Sequence, residues 1–448
     1  MKYIFQTKPF KHQGEVLKQS WNALHWGYFM EMGTGKSKVC IDNAAILYER
    51  GVIDTFIVLA PKGVYRNWAT IEIPLHLPKR LECDIDVWSA TPTKEQKNNL
   101  ALLLEPRETD HLRILVMNIE ALSTAKGTRY LDKVLDQGIC LLAVDESTAI
   151  KSPKARRTKA IIKLGKKAKY KRILTGFPVT QSPMDLWAQC NFLHPELLGK
   201  DVGDNYFQFQ YRYAILKKRS VGSHSFNMVV GYRNLDTLSD ILKKFSSRVM
   251  KVDCLDLPPK IYTQRQVQLT PDQVRIYDEI KEYALAHLGD NDFMTAPNVM
   301  TQLIRLQQVL SGHTKTDEGK LVEIKDNRLT ELMECLEDVS GKVIIWSRFR
   351  YDIERIKNEL IKVYGSSSTV TYYGDTKDEE RTEAIEQFQN GVAQFFVGNP
   401  QTGGYGITLT AAETVIYFAN SFDLAVRMQS EDRCHRIGQD KHVTYIDL

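Results

Sequence analysis

The sequence predicts an α/β protein of two parallel-sheet lobes in tandem, with helical insertions between them. Three observations carry this. The 448 residues exceed the size at which a single hydrophobic core keeps growing, so two domains are expected. Short runs that are apolar almost throughout, such as FIVLA at 56–60 and LLAV at 141–144, read as strands buried on both faces. Such runs alternate with helical patterns over the first ~190 residues and again from about Arg328, which is the order of βαβ units.

In the first lobe, expected at 1–255, the candidate strands are 27–31, 55–60, 84–88, 112–117, 139–145 and 171–175. A helix should begin at Lys36 and end at Gly51, a residue suited to a helix C-terminus. From about 183 to 255 no buried parallel strand is evident, and a helical protrusion is expected. The aromatic run NYFQFQYRY at 205–213 suits either base stacking or a small local core, and the core is the simpler reading.

LPPK at 257–260 reads as an extended linker into a second lobe at 256–448. Thr270 and Pro271 form an N-cap and first-turn pair for a helix to about Leu288. A mobile loop is expected at 289–298 and a further helix to Leu310, making a helical insertion of about 270–325. The strands of this lobe should be 343–346, 369–373, 394–398, 414–418 and 443–447.

Composition narrows the classes. With 43% hydrophobic and 26% charged residues the chain reads as globular. No apolar run reaches membrane-spanning length, and residues 1–13 lack a signal-peptide core, so no membrane partner and a cytoplasmic location, in a prokaryote or a phage-infected host, are expected. The seven cysteines are never closer than 43 residues, which excludes zinc-ligand spacing. Of 60 basic residues, eleven fall within 151–172, where there is no acid, leaving 49 against 55 acidic residues elsewhere. That stretch, with Lys151, Arg156 and Arg157, suggests a track for a polyanion; a solvated helix face is the plainer alternative.

EMGTGKS at 31–37 follows a strand and opens a helix, the context of a phosphate loop. The full pattern GxxxxGK[ST] would need glycine at Met30, but the tail is intact. Met32, Gly33, Thr34 and Gly35 would bring backbone N–H groups to phosphates, Lys36 a charge and Ser37 a magnesium ligand. Asp145 and Glu146 end a buried strand, where open α/β sheets bind ligands; Asp145 would hold the metal shell and Glu146 polarise water. Thr175 and Gly176 end another strand. Near the C-terminus, Arg433 and Arg436 stand three apart, as on one helix face, flanked by Gln429 and Gln439. They are candidates for neutralising charge on a γ-phosphate, which requires the two lobes to meet over one nucleotide. Gly403, Gly404 and Gly406 in GGYGITLTAA suit a loop close to a phosphate.

In order, these elements resemble helicase superfamily two, and specifically the Swi/Snf remodeller-type ATPases, over nearly the whole chain. FKHQ, EMGTGKS, VLAPKGVYRNW, VDEST, LTGFP, LPPK, LTPDQVRIY, IIWSRF, GGYGITLTAA and QSEDRCHRIGQ fall in the family's order. The resemblance implies RecA-like lobes, ATP and Mg2+ as cofactors, and double-stranded DNA as partner, with a monomer expected. It implies that Gln13 reads the adenine, that Gly406 and Gln429 line the nucleotide, and that Arg433 and Arg436 act on the transition state. It places Pro61, Lys62, Trp68, Ser347, Arg348, Gly403, Gly404 and Thr408 in motifs that line or shape the nucleic-acid groove. Ser147 and Thr148 depart from the family pattern beside Asp145 and Glu146, and the bracing C-terminal helices of large remodellers have no counterpart up to Leu448. The compact plan is similar to prokaryotic and phage-encoded members.

The expected activity is DNA-stimulated ATP hydrolysis coupled to translocation on duplex DNA. A strand-separating DNA or RNA helicase, a nucleotide-gated DNA scaffold with little turnover, and a small-molecule kinase are the alternatives.

Overall fold

The computed structural model describes residues 3–105, 111–221, 224–287, 293–296, 298–376, 378–403 and 406–448. The chain divides into two compact units, Met1–Leu255 and Asp256–Leu448. Much of the loop expected at 289–298 lies outside the described residues.

The N-terminal unit is built on strands β1 (His25–Met30), β2 (Thr55–Ala60), β3 (Cys83–Val87), β4 (Leu112–Asn118), β5 (Cys140–Asp145) and β6 (Tyr170–Leu174). A two-stranded ribbon follows, β7 (Ala214–Val221) with β8 (His224–Tyr232), and then β9 (Ser246–Val249). The main sheet runs β3-β4-β2-β5-β6-β1-β9 with every pair parallel. Helices are the crossovers, and all six residues of β2 are buried, as a doubly covered strand requires. The order matters for function because β6 lies between β5 and β1. Register sets Asp145 beside Leu174 and Leu174 beside Tyr28, so the carboxyl ends of all three strands emerge together.

The C-terminal unit holds β10 (Lys260–Gln264), the short hairpins β11 (Leu285–His287) with β12 (Phe293–Thr295) and β13 (His313–Lys315) with β14 (Leu321–Glu323), then β15 (Lys342–Ser347), β16 (Thr369–Tyr372), β17 (Phe395–Gly398), β18 (Ala412–Ala419) and β19 (Val443–Asp447). Its sheet runs β10-β19-β18-β15-β17-β16, again wholly parallel. Trp346, Phe396, Tyr417 and Tyr445 fill one face of it.

The expected strands are present, within a residue or two at their ends. The insertions differ from expectation. Neither is purely helical: the region after 183 contains the ribbon β7–β8 and the sheet strand β9, and the region 270–325 contains two small hairpins. These strands are short or exposed, so no apolar run marks them. The residues read as a linker end in β10, an edge strand whose side chains are mostly exposed. Thr270 does cap a helix, Pro271–Tyr283, but that helix stops where Ala284 turns left-handed at φ 52°.

Candidate nucleotide and nucleic-acid sites

The loop after β1 is shaped by two left-handed glycines, Gly33 at φ 76° and Gly35 at φ 89°. Gly35 is required twice over, because a Cβ there would lie 2.2 Å from Gln13 Nε2. The helix Lys36–Glu49 starts directly after it and has no acid in its first turn, leaving a positive end for an anion. Thr34 closes the turn: its hydroxyl donates to the Glu31 carbonyl at 2.7 Å. Lys36, nearly buried, has its Nζ 3.4 Å from the same carbonyl. Met32 is buried and Ser37 half-buried at the second residue of the helix.

Gln13 is buried and belongs to this loop physically. Its amide nitrogen donates to the Thr34 carbonyl at 3.0 Å, and its carbonyl accepts from Phe10 N at 3.0 Å. His12 was not foreseen: its Nε2 donates to the Thr34 carbonyl at 2.9 Å. Two side chains from one helix thus hold the crest of the candidate phosphate loop.

At the tip of β5, Asp145 accepts from the Trp68 indole at 2.9 Å through Oδ2 and from the Glu146 amide at 3.0 Å through Oδ1. Burial pushes its carboxyl up, against the pull of the Trp68 hydrogen bond and the Lys36 charge. That electrostatic link joins the loop to the strand tip. Glu146 takes a left-handed conformation, φ 45° and ψ 58°, uncommon for a non-glycine residue and a mark of a constrained site. Thr175 Oγ1 lies 3.4 Å from Glu146 Oε2, so the end of β6 touches the carboxylate expected to orient water. Beside it, Ser147 is fully buried and donates to Gln189 Oε1 at 2.7 Å.

The donor set fits a magnesium-bound triphosphate: backbone N–H groups and Lys36 for phosphate, and the hard oxygens of Ser37 and Asp145 for the ion.

In the C-terminal unit, the helix Leu424–Glu431 ends before the arginine pair. Arg433 and Arg436 therefore occupy a turn and not a helix face. They converge nonetheless. Arg433 Nη1 lies 3.3 Å and Arg436 Nη1 3.4 Å from the Ile407 carbonyl, and Arg433 Nε donates to Gln429 O at 2.9 Å. Gln439 locks the turn by donating to the carbonyls of Thr410 at 3.1 Å and Ala412 at 3.0 Å. This ties the arginine turn to the glycine-rich segment. Gly406 is exposed at φ 69°, and Thr408 is half-buried. Lys260 joins from β10, its Nζ 2.9 Å from Glu431 Oε2.

Several expected nucleic-acid contacts are placed elsewhere. Trp68 is 2% exposed and serves Asp145, so it offers no face to a base. Ser347 is fully buried and donates to Asp352 Oδ2 at 2.7 Å. Gly403 is buried against Trp346, where a Cβ would meet the ring at 2.6 Å, which makes its smallness a packing requirement. Gly404 lies outside the described residues. Lys62 and Arg156 are exposed; Arg348 is half-buried and bonded to Gln307 Oε1 at 2.6 Å. Lys151 bonds Thr180 at 2.6 Å, and Arg157 bonds the Ala149 carbonyl at 2.7 Å.

The basic stretch is not one continuous track. Arg172 is fully buried in β6 and donates to Asn43 and to four carbonyls, those of Ser20, Ala23, Leu24 and Lys171. Lys171 is 5% exposed, and burial lowers its ammonium to about 8. The exposed members are Lys154, Arg156, Lys159, Lys163, Lys166, Lys167 and Lys169, on and after the helix Arg156–Leu164.

Residues 26–314 match the SNF2-related domain, and residues 325–438 match the helicase conserved C-terminal domain. The chain is 27% identical over 418 residues to an uncharacterized ATP-dependent helicase of Mycoplasma pneumoniae, covering 92% of this chain and 37% of that protein. It is 25% identical to a putative ATP-dependent helicase/translocase of Bacillus subtilis, covering 92% of this chain and 42% of that one. The chain spans less than half the length of either relative. Among solved structures, the Sulfolobus solfataricus SWI2/SNF2 ATPase core in complex with dsDNA matches with a TM-score of 0.46 and 23% identity, covering all of this chain and 89% of that one.

Proposed function

The chain belongs to the SNF2-related family, and from that premise we propose that it is a DNA-dependent ATPase coupling Mg-ATP hydrolysis to translocation on double-stranded DNA. The observation that carries this is the adjacency of β1, β6 and β5. The carboxyl end of one sheet presents a candidate phosphate loop, a carboxylate pair and a threonine that touches the second carboxylate. Lys36 and the loop amides hold the phosphates, and Ser37 and Asp145 hold the magnesium that comes with them. Glu146 orients the attacking water, and Thr175 couples that carboxylate to the end of β6. Arg433 and Arg436 supply planar donors to charge developing on the γ-phosphate.

Phosphate contacts dominate DNA binding in this reading, so affinity is strongly salt-dependent and weakly sequence-dependent. Among the described residues no helix is long and apolar enough to cross a membrane.

The decisive measurement is the steady-state ATPase rate with duplex DNA, single-stranded DNA and RNA at fixed salt. Duplex should stimulate most. Stimulation by RNA or single strands alone, with displacement of a tailed strand, would assign a strand-separating helicase instead. Lys36→Ala should abolish turnover, and Glu146→Gln should retain ATP on DNA while losing hydrolysis. Parental hydrolysis by Glu146→Gln would refute the catalytic assignment.

A further inference from the structure

We propose that the ribbon β7–β8 is a duplex-DNA contact that grips the phosphate backbone with cations on both of its faces. This rests on the DNA reading above and names a surface for it.

Residues 205–235 carry Arg212, Lys217, Lys218, Arg219 and Arg233 and no acid. The ribbon they build is anchored at its base: Leu216 pairs with Val229, and both half-buried side chains pack on the core of the N-terminal unit. Beyond that pair the ribbon leaves the core, and residues 217–219 and 225–227 are exposed apart from the half-buried Met228 beside them. Side chains alternate along a strand. Lys217 and Arg219, paired with Met228 and Phe226, therefore form one face, and Lys218, paired with Asn227, belongs to the other. Arg212 at the base is held by Asp201 at 2.6 Å. Among the described residues, Lys217, Lys218 and Arg219 have no carboxylate partner.

A solitary two-stranded ribbon is marginal in water, and one with Phe226 half exposed beside three adjacent cations is poorly explained by packing. Edge lysines discourage strand pairing, but that role does not call for an aromatic next to them. Charge complementarity selects the occupant. The five pairs beyond Leu216 and Val229 span ~17 Å at the rise of a strand, and a two-stranded ribbon fits a major groove about 12 Å wide, flanked by phosphates on both sides. Cations on both faces suit those two rails, and Phe226 adds apolar contact.

The test uses the full chain. Lys217, Lys218 and Arg219 are replaced together by alanine, with Phe226→Ala made separately, and binding of a mixed-sequence duplex is followed by fluorescence anisotropy against KCl. The triple variant should bind roughly tenfold or more weakly at low salt. Its log–log salt slope should be shallower by about 2 to 3. Phe226→Ala should weaken binding and leave the slope alone. ATPase in the absence of DNA and the Tm should match the parent in both. Parental affinity and slope in the triple variant would overturn the ribbon assignment while leaving the DNA reading standing, whereas a parent that binds no duplex would overturn both. Loss of binding to phosphatidylserine-containing vesicles, with duplex binding intact, would make the ribbon a lipid contact and also overturn the assignment.

Discussion

At the scale of single residues, the structure changes what several side chains are for. The sequence places Trp68 among the candidate nucleic-acid contacts, yet its indole is buried and donates to Asp145. A buried carboxylate left with one donor fewer is costlier to hold in place, by ~1–3 kcal/mol. Trp68→Phe should therefore lower kcat about tenfold or more while duplex affinity stays within about twofold of the parent, as read by ATPase titration and anisotropy. A base-contacting tryptophan would show the reverse pattern, weakened DNA binding with intact turnover on saturating DNA. Gly35 was legible as a loop glycine, but not the reason it cannot change. Gly35→Ala adds a Cβ into the Gln13 amide at a left-handed φ. It should cost ~1–3 kcal/mol of loop stability, seen as weakened binding of a fluorescent ATP analogue.

Elements show where one-dimensional charge misleads. Residues 151–172 read as a basic tract, but the fold feeds them into a loop, a helix and then a central strand. Lys171 and Arg172 are carried inside by β6. Arg172 is satisfied there by five acceptors. Lys171 is held to about 8, against an ordinary value of 10.5, because burial disfavours its charge. A lysine lowered in the fold releases its proton more readily there than in the unfolded chain. Its charge thus works against folding at neutral pH, and the penalty fades as the pH rises from about 8 to 10.5. Lys171→Met should raise stability at pH 7 by about 2 kcal/mol in chemical denaturation, and the gain should shrink toward pH 10. A gain that does not change with pH would show that packing, not charge, is responsible. The arginine turn carries a parallel lesson: a spacing of three suggested a helix face, while the helix ends at Glu431 and the Ile407 carbonyl gathers both guanidinium groups.

For the whole molecule, the prediction concerns the contribution of the C-terminal unit to catalysis. Arg436 is half-buried at the end of the turn, with its Nη1 3.4 Å from the Ile407 carbonyl. Arg436→Ala should reduce kcat about 10^3-fold with ATP affinity little changed, measured by stopped-flow turnover and nucleotide titration. A variant that turns over at the parental rate would remove the arginine from the mechanism. The α/β class, the two parallel sheets and nearly every strand in them were legible in the amino-acid order, because a strand buried on both faces must be apolar throughout and its ends must be polar. The turn at 31–37 and the Asp145–Glu146 tip were legible as strand ends for the same reason: each lies where such a strand stops. The sequence could not reveal the neighbours of β1. Sheet order is a long-range choice, and only that order sets β6 between β1 and β5 and so brings Thr175 to Glu146. Nor could it show that Trp68 serves Asp145, 77 residues away, that Arg172 is buried, or that residues 214–221 and 224–232 pair as a ribbon. Local patterns record which residues avoid water, whereas partners distant along the chain are set only when the sheet closes and the surrounding helices pack.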